Sequence, residues 1–294
     1  VTYDPNEARD ATGKWAASED AAHAQAEKVA GGHKPLEGLP QTPINLDGHL
    51  YVPGPIGRLR DAAESYMKEA GLPYDPPKKY VPVDIERSKR IAGAFDEMQH
   101  TPTEPATKAS YDAMIKETRA QWEAIKKTGL KVDWIQPGQK DPYAASPRLA
   151  AQDVSENNHW WGFPTDQGFG TGPEAKKYEK DSPVLQKTGD IIGGREVVAN
   201  DIFRIVHDMN GHLKEGNGFR AGGEENAWRS HAAMYSDLAR PAMTAGTRGQ
   251  NSWVNYGPFG ASNRTADSEH TVYAPQKMGL LPKWVEDEGR KDDL

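Results

Sequence analysis

Apolar residues recur at helical spacing in several stretches after residue 55. Leu59, Ala62, Ala63, Tyr66 and Met67 share one face of a first helix, which Gly71 and Pro73 close. Ile85, Ile91, Ala92, Phe95 and Met98 form the inner face of a second helix that starts after Asp84. A loop over Thr101–Thr107 leads to a longer helix from Ala109 to Lys127, built on Tyr111, Met114, Ile115, Trp122 and Ile125, with Gly129 as its stop. This third helix reads as core plus solvated face. The alternation of Lys131, Val132, Asp133 and Trp134 predicts a short strand between Leu130 and Ile135. Ile202, Phe203, Ile205, Val206, Met209 and Leu213 predict a helix beginning near Asn200, and another runs from Gly223 to Ala239, before Pro241.

Between these stretches the pattern fails in informative ways. Residues 136–182 interleave Gly, Pro, Asn and aromatics, and a loop of that length inside a compact domain tends to serve function or motion. Residues 1–48 contain an Ala/Glu/His stretch with helical propensity and almost no large apolar residue, so nothing there can be buried against a core. The expectation is a flexible N-terminal arm over 1–48 and a single, mainly α-helical domain over 49–294. That domain has long irregular loops and little strand, with a helical half at 55–130 and a metal-site half at 150–265. The charged end from Glu286 is expected to fray.

Composition narrows the function classes. The chain has no cysteine, which excludes disulfides, thiolate metal ligands and cysteine nucleophiles, so any metal must be held by His, Asp or Glu. Its 36 basic and 43 acidic side chains give a formal charge of −7, with no global attraction to nucleic acid. Mean hydropathy is low at −0.81, and no apolar run approaches the roughly 18 residues of a membrane span. The start of the chain lacks a signal-peptide pattern. The location expected is the cytoplasm of a host cell, or a virion. No Gly-x-Ser-x-Gly elbow, P-loop or dinucleotide-binding glycine pattern occurs.

The chemistry concentrates between residues 207 and 231. His207 and His212 stand five positions apart, about 140° around an α-helix, wider than the i, i+4 pair of a zinc-protease helix. They can converge on one ion if the helix ends or tightens near Gly211. On the next helix Glu224, Trp228 and His231 return to one side, while Glu225 points with Arg229 and Ala232. Two His and one carboxylate would leave open positions on a divalent metal, Fe(II) first, with Zn or Mn as alternatives. His207, His212 and Glu224 are the candidate ligands. His231 is either a further ligand or a support, and Asp208 or Glu225 is an acid able to orient an imidazole or serve in catalysis. Arg248, Gln250, Asn251 and Trp253 form a polar stretch suited to binding a small-molecule or nucleotide-like substrate, with Trp160, Trp161 and Trp253 as walls.

His207-Asp208-x-x-Gly211-His212, entered through Phe203-Arg204, resembles the iron motif of aromatic amino acid hydroxylases, with Asp208 where that family has Glu. The resemblance implies His207 and His212 as ligands, Glu224 or Glu225 as the third, and hydroxylation chemistry. The adjacent pair His207-Asp208 also resembles the helix of HD-type phosphohydrolases, which would draw a further His and Asp from positions such as His159 and Asp237. Gly218-Phe219-Arg220 with Gly222 to Trp228, and Thr247 to Trp253, look like segments of phage-encoded proteins. Glu7 to Trp15 is similar to phage head-associated and polyvalent proteins. These likenesses imply a viral protein whose N-terminal arm meets phage structural proteins. The leading expectation is a non-haem Fe(II) oxygenase or hydroxylase. An HD-like or zinc hydrolase is the second, and a non-enzymatic virion protein with a structural metal site is the third.

Overall fold

A computed structural model describes residues 44–46, 49–51, 56–143, 147–168, 178–179, 181–266 and 270–290. Most of the arm expected over 1–48 lies outside these residues. At its junction with the domain, Ile44–Leu46 (β1) pairs antiparallel with His49–Tyr51 (β2). The rest is mainly helical. Among the described residues no helix is long and apolar enough to cross a membrane.

The first helix, α1 (Gly57–Ala70), buries the five residues expected of it and ends on Gly71 in the left-handed conformation that favours glycine. In α2 (Ile85–Glu97) the Asp84 carboxylate accepts from the Arg87 N–H at 2.9 Å, satisfying one of the free donors of the first turn. Helix α3 spans Pro105–Lys126, so its first turn occupies part of the expected loop. Pro105 explains this, because its fixed φ suits the first turn and its missing N–H has no partner to lose there.

The strand Lys131–Trp134 (β3) forms as expected and pairs in parallel with His159–Gly162 (β4), inside the segment read as irregular. That segment also holds α4 (Pro147–Gln152), which widens into a π-helical turn over Asp153–Asn157, and the single turn α5 (Thr165–Gly168). A hairpin of β5 (Lys187–Ile192) and β6 (Arg195–Val198) turns at Gly193-Gly194, both at positive φ. It lies against β3, where Trp134 Nε1 donates to the Ile192 carbonyl at 2.7 Å.

Helix α6 (Ala199–His207) is the centre of the fold. It is amphipathic, and all its residues but Asn200 and Arg204 are buried. Ile202, Ile205 and Val206 join one core cluster with Trp134, Trp160 and Met209. Phe203 joins another with Tyr111, Met114, Trp228, Tyr235 and Met243. Each such side chain contributes about 1.5–3 kcal/mol of burial. Next comes α7 (Ala221–Ala232), which ends seven residues short of the expected Ala239. The following α8 (Arg240–Thr244) carries Pro241 in its first turn, widens into a π-helical turn over Ala245–Gly249, and runs into α9 (Gln250–Tyr256). After the short α10 (Gly260–Asn263), α11 (Lys283–Asp287) docks. Frayed ends are not what residues 283–290 show: Val285 and Glu286 are buried, and Glu286 accepts from both Arg240 and Lys283.

Candidate metal centre

The His207–His212 spacing is reconciled by a wider helix turn, opposite to the expected tightening. Asp208–Leu213 continues α6 as a π-helical turn, in which the Lys214 N–H reaches the Met209 carbonyl five residues back at 2.8 Å. Five-residue bonding brings a side chain and its fifth neighbour to one side, and π turns of this kind gather at functional sites. The two imidazoles face each other edge to face, with centroids 5.1 Å apart.

Helix α7 supplies the acid. Glu224 Oε2 lies 3.4 Å from His212 Nε2 and 3.8 Å from His207 Nε2. Ligands each about 2.1 Å from one ion sit roughly 3–3.5 Å apart, so these separations suit a shared divalent cation. The three residues form a group able to hold a metal ion, their ligand atoms all within 4.8 Å of one another. His207 Nε2 is buried and has no hydrogen-bond partner. Such an orphan is costly in a folded protein unless something else occupies its lone pair.

Two glycines make this approach fit. A Cβ on Gly211 would stand 3.0 Å from the Ala227 carbonyl and 3.1 Å from the His207 ring, so a side chain there would push α7 or His207 back by a few tenths of an ångström. A Cβ on Gly223 would stand 2.0 Å from the Gly218 carbonyl oxygen. That oxygen accepts from His212 Nδ1 at 2.9 Å, which fixes the proton on Nδ1 and leaves Nε2 free to ligate. Phe203 lies parallel to the His207 ring, and Phe219 stacks on His212 at 4.4 Å.

Charge is organised around the same point. Burial would lift the Glu224 carboxyl, but His212 and His207 hold it well below the usual carboxylate range. Burial would depress His212, yet Glu224, Asp208 and the Gly218 carbonyl raise it. Asp208, half-buried beside both histidines, is raised by burial against the pull of His212, His207 and Arg204. His231 is pushed well below its ordinary value by burial, then by His207, Lys214 and His212, and so is neutral.

The other expected site residues lie elsewhere. His231 stands behind His207, its Nδ1 3.0 Å from His207 Nδ1, outside the ligand group. The acids Asp208 and Glu225 do not orient the imidazoles; Gly218 and His231 hold those positions. Glu225 instead pairs with Arg248 through both carboxylate oxygens. Arg248 is fully buried, gives its remaining donors to the Val285 and Glu288 carbonyls and stacks on Trp228, so it is no free substrate head. The expected recognition loop is helical. Gln250 pairs with Gln276, Asn251 with Ala221 and Asn255, and Trp253 with Asp96 in the cluster around Phe95. Trp160 belongs to the core of Trp134, and Trp161 packs edge-on against His159. His159 lies between Asp153 and Asp133, while the exposed Asp237 pairs with Arg240, so neither joins His207-Asp208 as an HD-type site requires.

Two contributors escaped the sequence reading. Gln121, on the helix read as plain core, reaches the back of the histidine cluster: its Oε1 is 3.0 Å from His231 Nε2. Its signal was a buried polar residue inside the apolar stripe of α3. Arg204, one turn before Asp208, lies over the Phe163 ring and makes no ion pair among the described residues. Comparison with known proteins identifies no relative: no family model, no curated protein and no solved structure matches this chain.

Proposed function

We propose that the chain is a metal-dependent enzyme of the two-histidine, one-carboxylate type, with Fe(II) as the preferred ion and oxidation or hydroxylation as the reaction. The observation that carries the reading is the buried, unpartnered His207 Nε2, set beside His212 Nε2 and Glu224 Oε2. Three protein ligands of N and O type leave open positions, the arrangement of non-haem iron oxygenases. When bound, the metal would supply Lewis acidity and activation of dioxygen. The protein's own part is to hold two imidazoles in their ligating tautomers and to cover their faces with Phe203 and Phe219. Arg204, one turn before Asp208 and acting on its carboxyl, adds positive charge that favours a substrate bearing a carboxylate or phosphate, which includes nucleotide-like molecules.

Asp208 favours a second reading, a zinc hydrolase. Its carboxyl is acted on by both histidines and lies outside the ligand group, and in this reading it would take a proton from a water. Metal analysis of protein purified without a histidine tag tests both: one equivalent is expected, lost in His207→Ala, His212→Ala and Glu224→Ala. Full metal content in any of these sinks the site. Adding azide to the Co(II)-substituted protein should change its visible spectrum, since an open position accepts the anion. An unchanged spectrum would mark a closed, structural site, as the non-enzymatic reading requires.

A further inference from the structure

We infer that Gln121 is a positioning residue that sets the ligating tautomer of His207, acting through His231; this rests on the metal-centre reading of His207. The three side chains form a buried line from α3 through α7 to α6. Gln121 Oε1 lies 3.0 Å from His231 Nε2, and His231 Nδ1 lies 3.0 Å from His207 Nδ1. Gln121 is 1% exposed and His231 is fully buried, so water does not substitute for either partner.

The line has a direction. An amide oxygen only accepts, so His231 carries its proton on Nε2. A neutral imidazole has one N–H, so His231 Nδ1 is a lone pair and accepts from the Nδ1–H of His207. His207 is then left with its lone pair on Nε2, the atom beside Glu224. Were the amide nitrogen of Gln121 turned to His231, every proton would move one place along. His207 Nε2 would then carry hydrogen and bind no metal.

Asn210 meets the same oxygen. Its Nδ2 donates to Gln121 Oε1 at 2.8 Å, which agrees with the carbonyl end of Gln121 facing His231. Ser230, next to His231 in the chain, donates to the Asn210 backbone carbonyl at 2.8 Å and ties this residue to α7. A helix about ninety residues upstream in the sequence thereby decides which nitrogen of a ligand is free.

The test is a long-range 1H–15N correlation spectrum of metal-free protein labelled at histidine nitrogen, with Zn(II) titrated separately against a competing chelator. In wild type, His207 should show Nδ1–H and His231 Nε2–H. Gln121→Met, close in size and lacking the acceptor, should lose this pattern and bind Zn(II) about 10–100-fold more weakly. The opposite tautomers in wild type overturn the inference, as does a Gln121→Met protein with unchanged pattern and affinity. If Gln121→Met does not fold, the wild-type spectrum decides alone. A wild type that binds no Zn(II) would sink the metal centre instead, and the tautomer pattern would still decide the part of Gln121.

Discussion

Glu225 and Arg248 make a two-pronged ion pair in the protein interior, with side chains 5% and 0% exposed. Its neighbour Glu224 is 30% exposed and turned to the histidines. Adjacent acids on α7 therefore do different work, and mutation should separate them. Glu225→Ala strands a buried guanidinium and should cost about 3–5 kcal/mol in urea unfolding, whereas joint replacement of both partners by apolar residues of similar volume should cost much less. Glu224→Ala should shift stability by about 1 kcal/mol or less and abolish metal binding. Metal loss in a folded Glu225→Ala protein with full retention in Glu224→Ala would reverse the assignment.

Gly211 and Gly223 should tolerate no side chain without loss at the site. Gly211→Ala places a methyl against the Ala227 carbonyl and the His207 ring, at 3.0 and 3.1 Å. Relieving this overpacking should cost about 1–3 kcal/mol and move His207 off its partner atoms. Gly223→Ala meets the Gly218 carbonyl and should loosen the hydrogen bond that orients His212. Gly246→Ala meets nothing within 4 Å and is the control, expected to keep metal content and melting temperature. Metal affinities equal to wild type in both site variants would remove the packing argument.

The helices of the first half were legible because their apolar periodicity is strong and their stops are Gly and Pro. Glu224 was legible for a related reason, since helical phase alone separates it from Glu225. The π turn at Asp208–Leu213 was not, because the same residues would be written for an α-helix; the widening arises from packing against α7 that no local pattern records. The hairpin over 187–198 was missed because its burial alternates weakly and its support comes from β3, far away in the chain. Arg248 looked like a recognition residue because free and buried guanidiniums are spelled alike. Only the Glu225 carboxylate and two carbonyls opposite it show that its donors are spent.

Acid should weaken the edge of the fold at β4. Burial would raise the Asp153 carboxyl, but hydrogen bonds from Tyr143, Asn157 and His159 overcome this and hold it below its ordinary value. A carboxyl depressed in the folded state contributes stability that is present above the unfolded value of about 3.9 and is lost as pH falls through the folded one. Asp153→Asn should therefore be less stable than wild type at pH 6, and the gap should close as pH is lowered below about 4. Urea midpoints measured across this range check it. A gap that stays constant would show that the carboxylate's charge contributes nothing there.

Metal should stabilise the folded chain in proportion to its occupancy. His207 ends α6, His212 sits on the π turn that continues it and Glu224 on α7, so an ion held between them ties elements that unfolding separates. A ligand bound only by the folded state adds about 2.7 kcal/mol at a free concentration a hundred times its dissociation constant. Wild type should melt higher with added metal and return to its starting point with a chelator. His212→Ala should show no such rise, because removing one of three ligands leaves an incomplete set. Gln121→Met should show a rise only at higher metal concentration, since it keeps all three ligands and loses the preset tautomer. Equal metal-induced shifts in wild type and His212→Ala would place the stabilising ion somewhere other than this centre.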